Sequence, residues 1–147
     1  AFEIMQGNQR FLMKCVLRDI YRERMNMKVF VYGTLRTRES RNHVLRSADF
    51  IGNYKSLPLY NMYDLGPFPS IYSGGKTSIV GELYEVDDYT LEILDMIEGH
   101  PAFYERKEIL LSELDGLAMN DYTEAYFLDK PNASLIKSGD WYDRKGY

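Results

Sequence analysis

The chain has 147 residues, a hydrophobic content of 45% and a formal net charge of −4, the size and balance of one soluble globular domain with a real core. Its mild acidity argues against a nucleic-acid binder, and no apolar run is long enough to cross a bilayer. With one cysteine and two histidines a zinc site is not expected, and the lone Cys15 fits a reducing, cytoplasmic setting.

Residues 1–26 differ from the rest. Phe11, Leu12, Cys15, Val16 and Ile20 recur at helical spacing, and Arg10, Lys14, Arg18 and Arg22 form a basic row on another face. The segment reads as an amphipathic helical extension, docked on its own domain or on a sister subunit of a homo-oligomer. A membrane-surface helix is the weaker reading, because Asp19 and Glu23 interrupt the basic face. Arg10, Lys14 and Arg18 break up the apolar residues that a secretory signal would need. The main domain is expected over 27–147.

Met27 to Leu35, MKVFVYGTL, opens that domain as a strand of β-branched and aromatic residues and stops at Gly33-Thr34. The polar stretch Arg36 to Leu45 reads as the start of a helix. A strand–glycine turn–helix junction leaves backbone N–H groups pointing outward, a nest for a carboxylate or a developing oxyanion. On these residues alone, a buried strand with a tight turn is the simpler account.

Ala48 to Lys55 and Leu57 to Tyr63 read as strands, with Gly52 a bulge or turn. Gly66 to Gly75, GPFPSIYSGG, reads as a loop on its proline and glycine content. Thr77 to Val86 is the next strand, and Gly81 inside it marks a bulge or a close backbone approach. Asp87-Asp88 offers N-cap chemistry for a helix to about Glu98, ended by Gly99 and Pro101. Phe103 to Leu111 and Thr123 to Leu128 read as strands, and the tail is turn-rich. Strands outnumber helices without regular alternation, which predicts an α+β fold built on a largely antiparallel, barrel-like sheet.

One carboxylate stands in an unusual place. Leu91, Leu94 and Glu98 share a helical face, so if the leucines meet the core, Glu98 does too. It also falls in the last helical turn, where the dipole disfavours negative charge. Both effects raise a carboxyl pKa and poise the group as a general acid or base. A slightly rotated helix would instead leave Glu98 solvated or paired with Arg106. Asp95, one turn earlier, reads as structural, holding backbone or an arginine. His43 and His100 read as surface residues, with His100 near enough to perturb Glu98.

Tyr32-Gly33-Thr34-Leu35, followed by Gly81-Glu82-Leu83-Tyr84, Leu94-Asp95, Glu98-Gly99, Pro101, Tyr104, Arg106 and Ser138-Gly139-Asp140-Trp141, resembles the γ-glutamylcyclotransferase-like family. The likeness runs from about Met27 to Tyr142, and EGHPAFYER looks like its γ-glutamylamine, AIG2-like branch. It implies a small mixed barrel flanked by helices. It also implies that Tyr32, Gly33, Thr34 and Leu35 hold the γ-glutamyl head and that Glu98 is the catalytic acid/base. Tyr104 and Arg106 would order the Glu98 loop, or serve only strand packing and a surface pair. Tyr126 either packs the core or lines the cavity. No metal or cofactor is implied. The expected substrate is a small γ-glutamyl amide, with neither nucleic acid nor membrane as partner. A non-catalytic module recognising a small carboxylate or γ-glutamyl group in the same pocket is the alternative; a pure binder has no need of a buried acid.

Overall fold

The computed structural model describes residues 9, 12, 13, 26–113, 119 and 121–144. The amphipathic extension therefore lies outside the described residues, save for 9, 12 and 13, which are helical.

Among the described residues nine strands form two sheets: β1 (Met27–Val31), β2 (Asp49–Ser56), β3 (Tyr60–Asp64), β4 (Pro69–Ser73), β5 (Val80–Val86), β6 (Glu105–Glu108), β7 (Leu111–Ser112), β8 (Glu124–Phe127) and β9 (Ser134–Leu135). One α-helix, α1 (Asp88–Glu98), follows β5. The larger sheet runs β6-β8-β1-β5-β2-β7 and the smaller β4-β3-β9. Among the described pairings only β1 with β8 is parallel. Leu128 N–H, just past β8, bonds Ile71 O on β4 at 3.1 Å, so the two sheets curl together into a half-barrel. The fold is α+β, as the element pattern predicts.

Strand β1 lies at the centre because both of its faces are apolar. Phe30 enters the barrel interior with Tyr60, Met62, Ile71, Leu83, Phe127 and Trp141. Val29 and Val31 face the other way, onto Tyr84, Val86, Leu94, Tyr104 and Tyr126. Leu94, with the partly buried Leu91 beside it, is where α1 meets this outer core. Asp87 caps the helix, accepting Thr90 N–H at 2.8 Å, and Gly99 ends it in the left-handed region at φ 69°.

Three elements depart from expectation. No α-helix follows Gly33; Arg36 to Arg41 run as turns into a 3-10 helix at Asn42–Leu45. Arg38 sits at φ 72°, which breaks a right-handed helix there, and Asn42 Nδ2 turns back to donate to Leu35 O at 2.8 Å. The proline- and glycine-rich stretch is not all loop, since its centre is β4, paired with β3 along its length. Pro69 stands at the first strand position, where a missing N–H is tolerated, and Ile71 is wholly buried. The strand expected over Phe103 to Leu111 divides into β6 and β7, and the turn-rich tail holds β9 and a 3-10 helix at Trp141–Asp143.

The glycines in strands behave as read. The β2–β5 register shifts between Phe50 and Gly52, a bulge, and a Cβ on Gly81 would lie 2.3 Å from Val31 O, a close approach.

Candidate active site

Where β1 ends, a cleft opens between the Tyr32–Leu35 turn and the last turn of α1. Phe30 to Leu35, Phe68, Pro69, Glu98 and Tyr126 line it, and its empty space is about 330 Å³ with the open mouth included.

The first wall is the turn. Arg36 N–H closes it on Gly33 O at 3.0 Å, and Arg41 N–H bonds Thr34 O at 2.9 Å. The N–H groups of Gly33, Thr34 and Leu35 donate to no acceptor among the described residues. Gly33 is required by contact: a Cβ there would lie 2.6 Å from Pro69 Cγ. Glu82 holds the turn from behind. It is 3% exposed and accepts Thr37 N–H at 3.0 Å, Thr37 Oγ1–H at 2.8 Å and the Tyr84 hydroxyl at 3.0 Å. Arg36, equally buried, pairs with Asp140 at 2.7 Å, stands 3.5 Å from Glu82, and stacks on the Tyr142 ring. A desolvated guanidinium between two carboxylates fixes the main chain on either side of it.

The second wall is the C-terminal turn of α1. Glu98 is half-buried, and its carboxylate accepts no hydrogen bond from the described residues. Burial pushes its pKa up to about 7, offset in part by the positive charge of Arg41. Asp95, three residues earlier, has the opposite surroundings. Arg106 grips it with Nε at 2.9 Å and Nη2 at 3.1 Å, and the Tyr126 hydroxyl donates to it at 2.7 Å. Burial would lift Asp95, but the Arg106 and Tyr126 hydrogen bonds and the Arg106 charge outweigh it and hold the carboxyl below its ordinary value. Arg106 also bonds Glu124 at 2.6 Å. Its own pKa rises, chiefly through the Asp95 bond. Tyr104 donates to Pro69 O at 2.7 Å, and Tyr32 to Tyr126 O at 2.6 Å.

All five cleft residues named from sequence, Tyr32, Gly33, Thr34, Leu35 and Glu98, therefore meet in one place, with Tyr126 beside them. Tyr104 packs in the outer core behind that lining, and Arg106 serves Asp95 rather than Glu98. His100 is engaged elsewhere: its Nδ1 accepts Arg106 N–H at 2.9 Å. His43 is exposed.

Sequence reasoning missed Phe68 and Pro69, which lie in the supposed loop, and gave Glu82 and Arg36 no role. A signal existed for Glu82. It shares strand parity with Tyr84 and Val86, so the test that singled out Glu98, an acid on an apolar face, applies to it equally. Among the described residues no three His, Cys, Asp or Glu side chains gather as a metal site, and no helix is long and apolar enough to cross a membrane.

Chemically, the cleft sets unspent backbone donors opposite a carboxyl that titrates near neutrality. Comparison with known proteins gives this arrangement relatives. The model of a family described as gamma-glutamyl cyclotransferase, AIG2-like, matches residues 29–143. The γ-glutamylcyclotransferase family protein YtfP of Escherichia coli K12 is 34% identical over 122 residues, covering 80% of this chain and 98% of that one. A Vibrio cholerae protein is 38% identical over 120 residues, covering 82% and 99%. Among solved structures, a mouse AIG2-like protein superposes with a TM-score of 0.68 at 26% identity, over 78% of this chain and 88% of that one.

Proposed function

This chain belongs to the gamma-glutamyl cyclotransferase, AIG2-like family, and on that premise we propose that it cleaves a γ-glutamylamine, releasing 5-oxoproline and a free amine. The observation that carries the proposal is Glu98: a carboxyl lifted to about 7 by burial, in the same cleft as the open N–H groups of Gly33, Thr34 and Leu35.

The reaction needs no protein nucleophile. The α-nitrogen of a γ-glutamyl amide attacks its own γ-carbonyl carbon, a C–N bond forms, and the carbonyl electrons move onto oxygen. As the oxyanion collapses, the bond to the amide nitrogen breaks. Ionised Glu98 relays two protons from the α-ammonium, one before attack and one from the ring nitrogen after it, to the departing nitrogen, which leaves as an ammonium, so no water is consumed and the enzyme ends as it began. Ring closure is intramolecular, so orientation by the cleft supplies much of the acceleration, up to roughly 7–11 kcal/mol in favourable cases. The turn holds the substrate carboxylate or the oxyanion, and one such donor is typically worth about 2.7–4 kcal/mol.

A module that merely bound a carboxylate would gain nothing from an acid held near neutrality. The proposed setting is the cytoplasm, in keeping with the single cysteine.

The test is 5-oxoproline release from γ-glutamyl-ε-lysine, a γ-glutamyl alkylamine, a γ-glutamyl α-amino acid and glutathione, each with wild type and Glu98→Gln. Turnover of the amines that vanishes in the variant supports the proposal. Turnover confined to the amino-acid substrates overturns the branch, and equal activity in the variant removes Glu98 from the mechanism.

A further inference from the structure

One large apolar side chain beside the cleft is left in water. Phe103 is 52% exposed, yet its backbone is fastened next to Glu98. Phe103 N–H bonds Gly99 O at 2.8 Å, and Tyr104 N–H bonds Glu98 O at 3.2 Å. The chain folds back closely after α1: a Cβ on Gly99 would lie 3.1 Å from Phe103 Cβ. A second ring comes from the segment before β4. Phe68 lines the cleft, placed by a turn in which Leu65 N–H bonds Phe68 O at 3.0 Å, and its neighbour Pro69 abuts Gly33. The two rings meet edge to face, with centroids 6.4 Å apart and planes at 88°. Tyr104 fixes them to each other. Its ring centroid is 5.0 Å from that of Phe103 and 6.3 Å from that of Phe68, and its buried hydroxyl donates to Pro69 O at 2.7 Å, tying the two segments together. The result is a fixed aromatic pair with one member in the cleft lining and the other in solvent.

Glu98 must reach the departing nitrogen to protonate it, so the carbons attached to that nitrogen begin beside Glu98. With the glutamyl head held at the turn, they leave by the mouth. We propose that Phe68 and Phe103 form an aromatic lip that carries the hydrocarbon chain of the departing amine, so that γ-glutamyl amides of alkylamines with several carbons are taken in preference to those of the smallest amines. The lip rests on the cyclotransferase reading and supplies the part of the substrate which that reading leaves open. It touches no reacting atom. It contributes binding energy from carbons removed from water, equal before and at the transition state, so its effect falls on KM and not on kcat.

The experiment measures 5-oxoproline release by the full chain from γ-glutamylmethylamide and γ-glutamylbutylamide and reads the ratio of their kcat/KM values. A fully buried methylene is worth about fourfold, and one covered on a single side about twofold, so three added methylenes should favour the butylamide by about tenfold. The difference should lie in KM. Phe103→Ala should shrink the ratio to about threefold or less, and Phe103→Leu, which keeps an apolar side chain, should restore most of it. Because a ratio is read, a loss of folded protein in a variant cancels. A wild-type ratio near one, with both amides turned over, overturns the lip without reference to any variant and leaves the cyclotransferase reading standing. A wild-type preference that Phe103→Ala leaves unchanged also overturns the lip. No 5-oxoproline from either amide, nor from the substrate panel, overturns both.

Discussion

The two walls of the cleft are each backed by an arginine gripping carboxylates, yet they end in opposite conditions. Behind the turn, Glu82 is more deeply buried than Glu98 and is surrounded by donors from Thr37 and Tyr84, with Arg36 alongside. On the helix, Asp95 absorbs Arg106 and the Tyr126 proton, and Glu98 one turn on is left with none. Burial alone therefore does not make a reactive acid. What separates Glu98 from Glu82 and Asp95 is burial without hydrogen-bond partners, and the neighbouring acid is what takes those partners away.

The comparison is broken most severely at its reactive member. Glu98→Gln keeps the shape and removes the exchangeable proton, so turnover should fall by about 10²–10⁴ with the fold intact, checked by 5-oxoproline release and circular dichroism. The structural member should fail differently. Glu82→Gln weakens the buried acceptor of Thr37 and Tyr84 and leaves Asp140 alone to balance Arg36, and denaturant unfolding should show a loss of about 2–3 kcal/mol. Asp95→Asn is milder, because Glu124 still pairs with Arg106 and the site is only partly buried; a loss of about 1–2 kcal/mol is expected by the same measurement.

The smallest effect sharpens the contrast through pH. Glu98 has a folded pKa near 7 against an ordinary value of 4.5, so between those values the folded chain binds more protons than the unfolded one. Stability must then fall as pH rises from about 4.5 to about 7, by roughly 1–3 kcal/mol, and Glu98→Gln should flatten that slope. Asp95 has the reverse sign: its lowered pKa lends stability that disappears on acidification below the ordinary carboxylate range. Unfolding curves of the two variants across pH would separate these contributions.

The residues that line the cleft were more legible in the sequence than the scaffolding behind them. Gly33 and Glu98 are each conspicuous locally, one as a glycine ending an apolar strand, the other as an acid on a leucine face. The Arg36–Glu82–Asp140 cluster joins residues as many as 104 positions apart, and no periodicity links them. Strand β4 was hidden because Pro69 and the flanking glycines outweigh three residues of alternation. It forms because β3 supplies a partner and the barrel interior receives Ile71, both consequences of tertiary packing. The helix expected after Gly33 failed for a related reason: Arg36 and Asn42 spend their side chains on Asp140 and Leu35 O, and the backbone bends to let them.

Strands β1 and β8 lie side by side, and Tyr32 at the end of one is tied by its hydroxyl to the main chain of Tyr126 on the other. The floor of the cleft is thus gauged by a single inter-strand gap, about 4.8 Å, set by the sheet itself. Such a floor cannot widen to admit a thicker guest or clamp down on a thinner one. Whatever guest the cleft takes, this part of its wall is spaced by the sheet before the guest arrives.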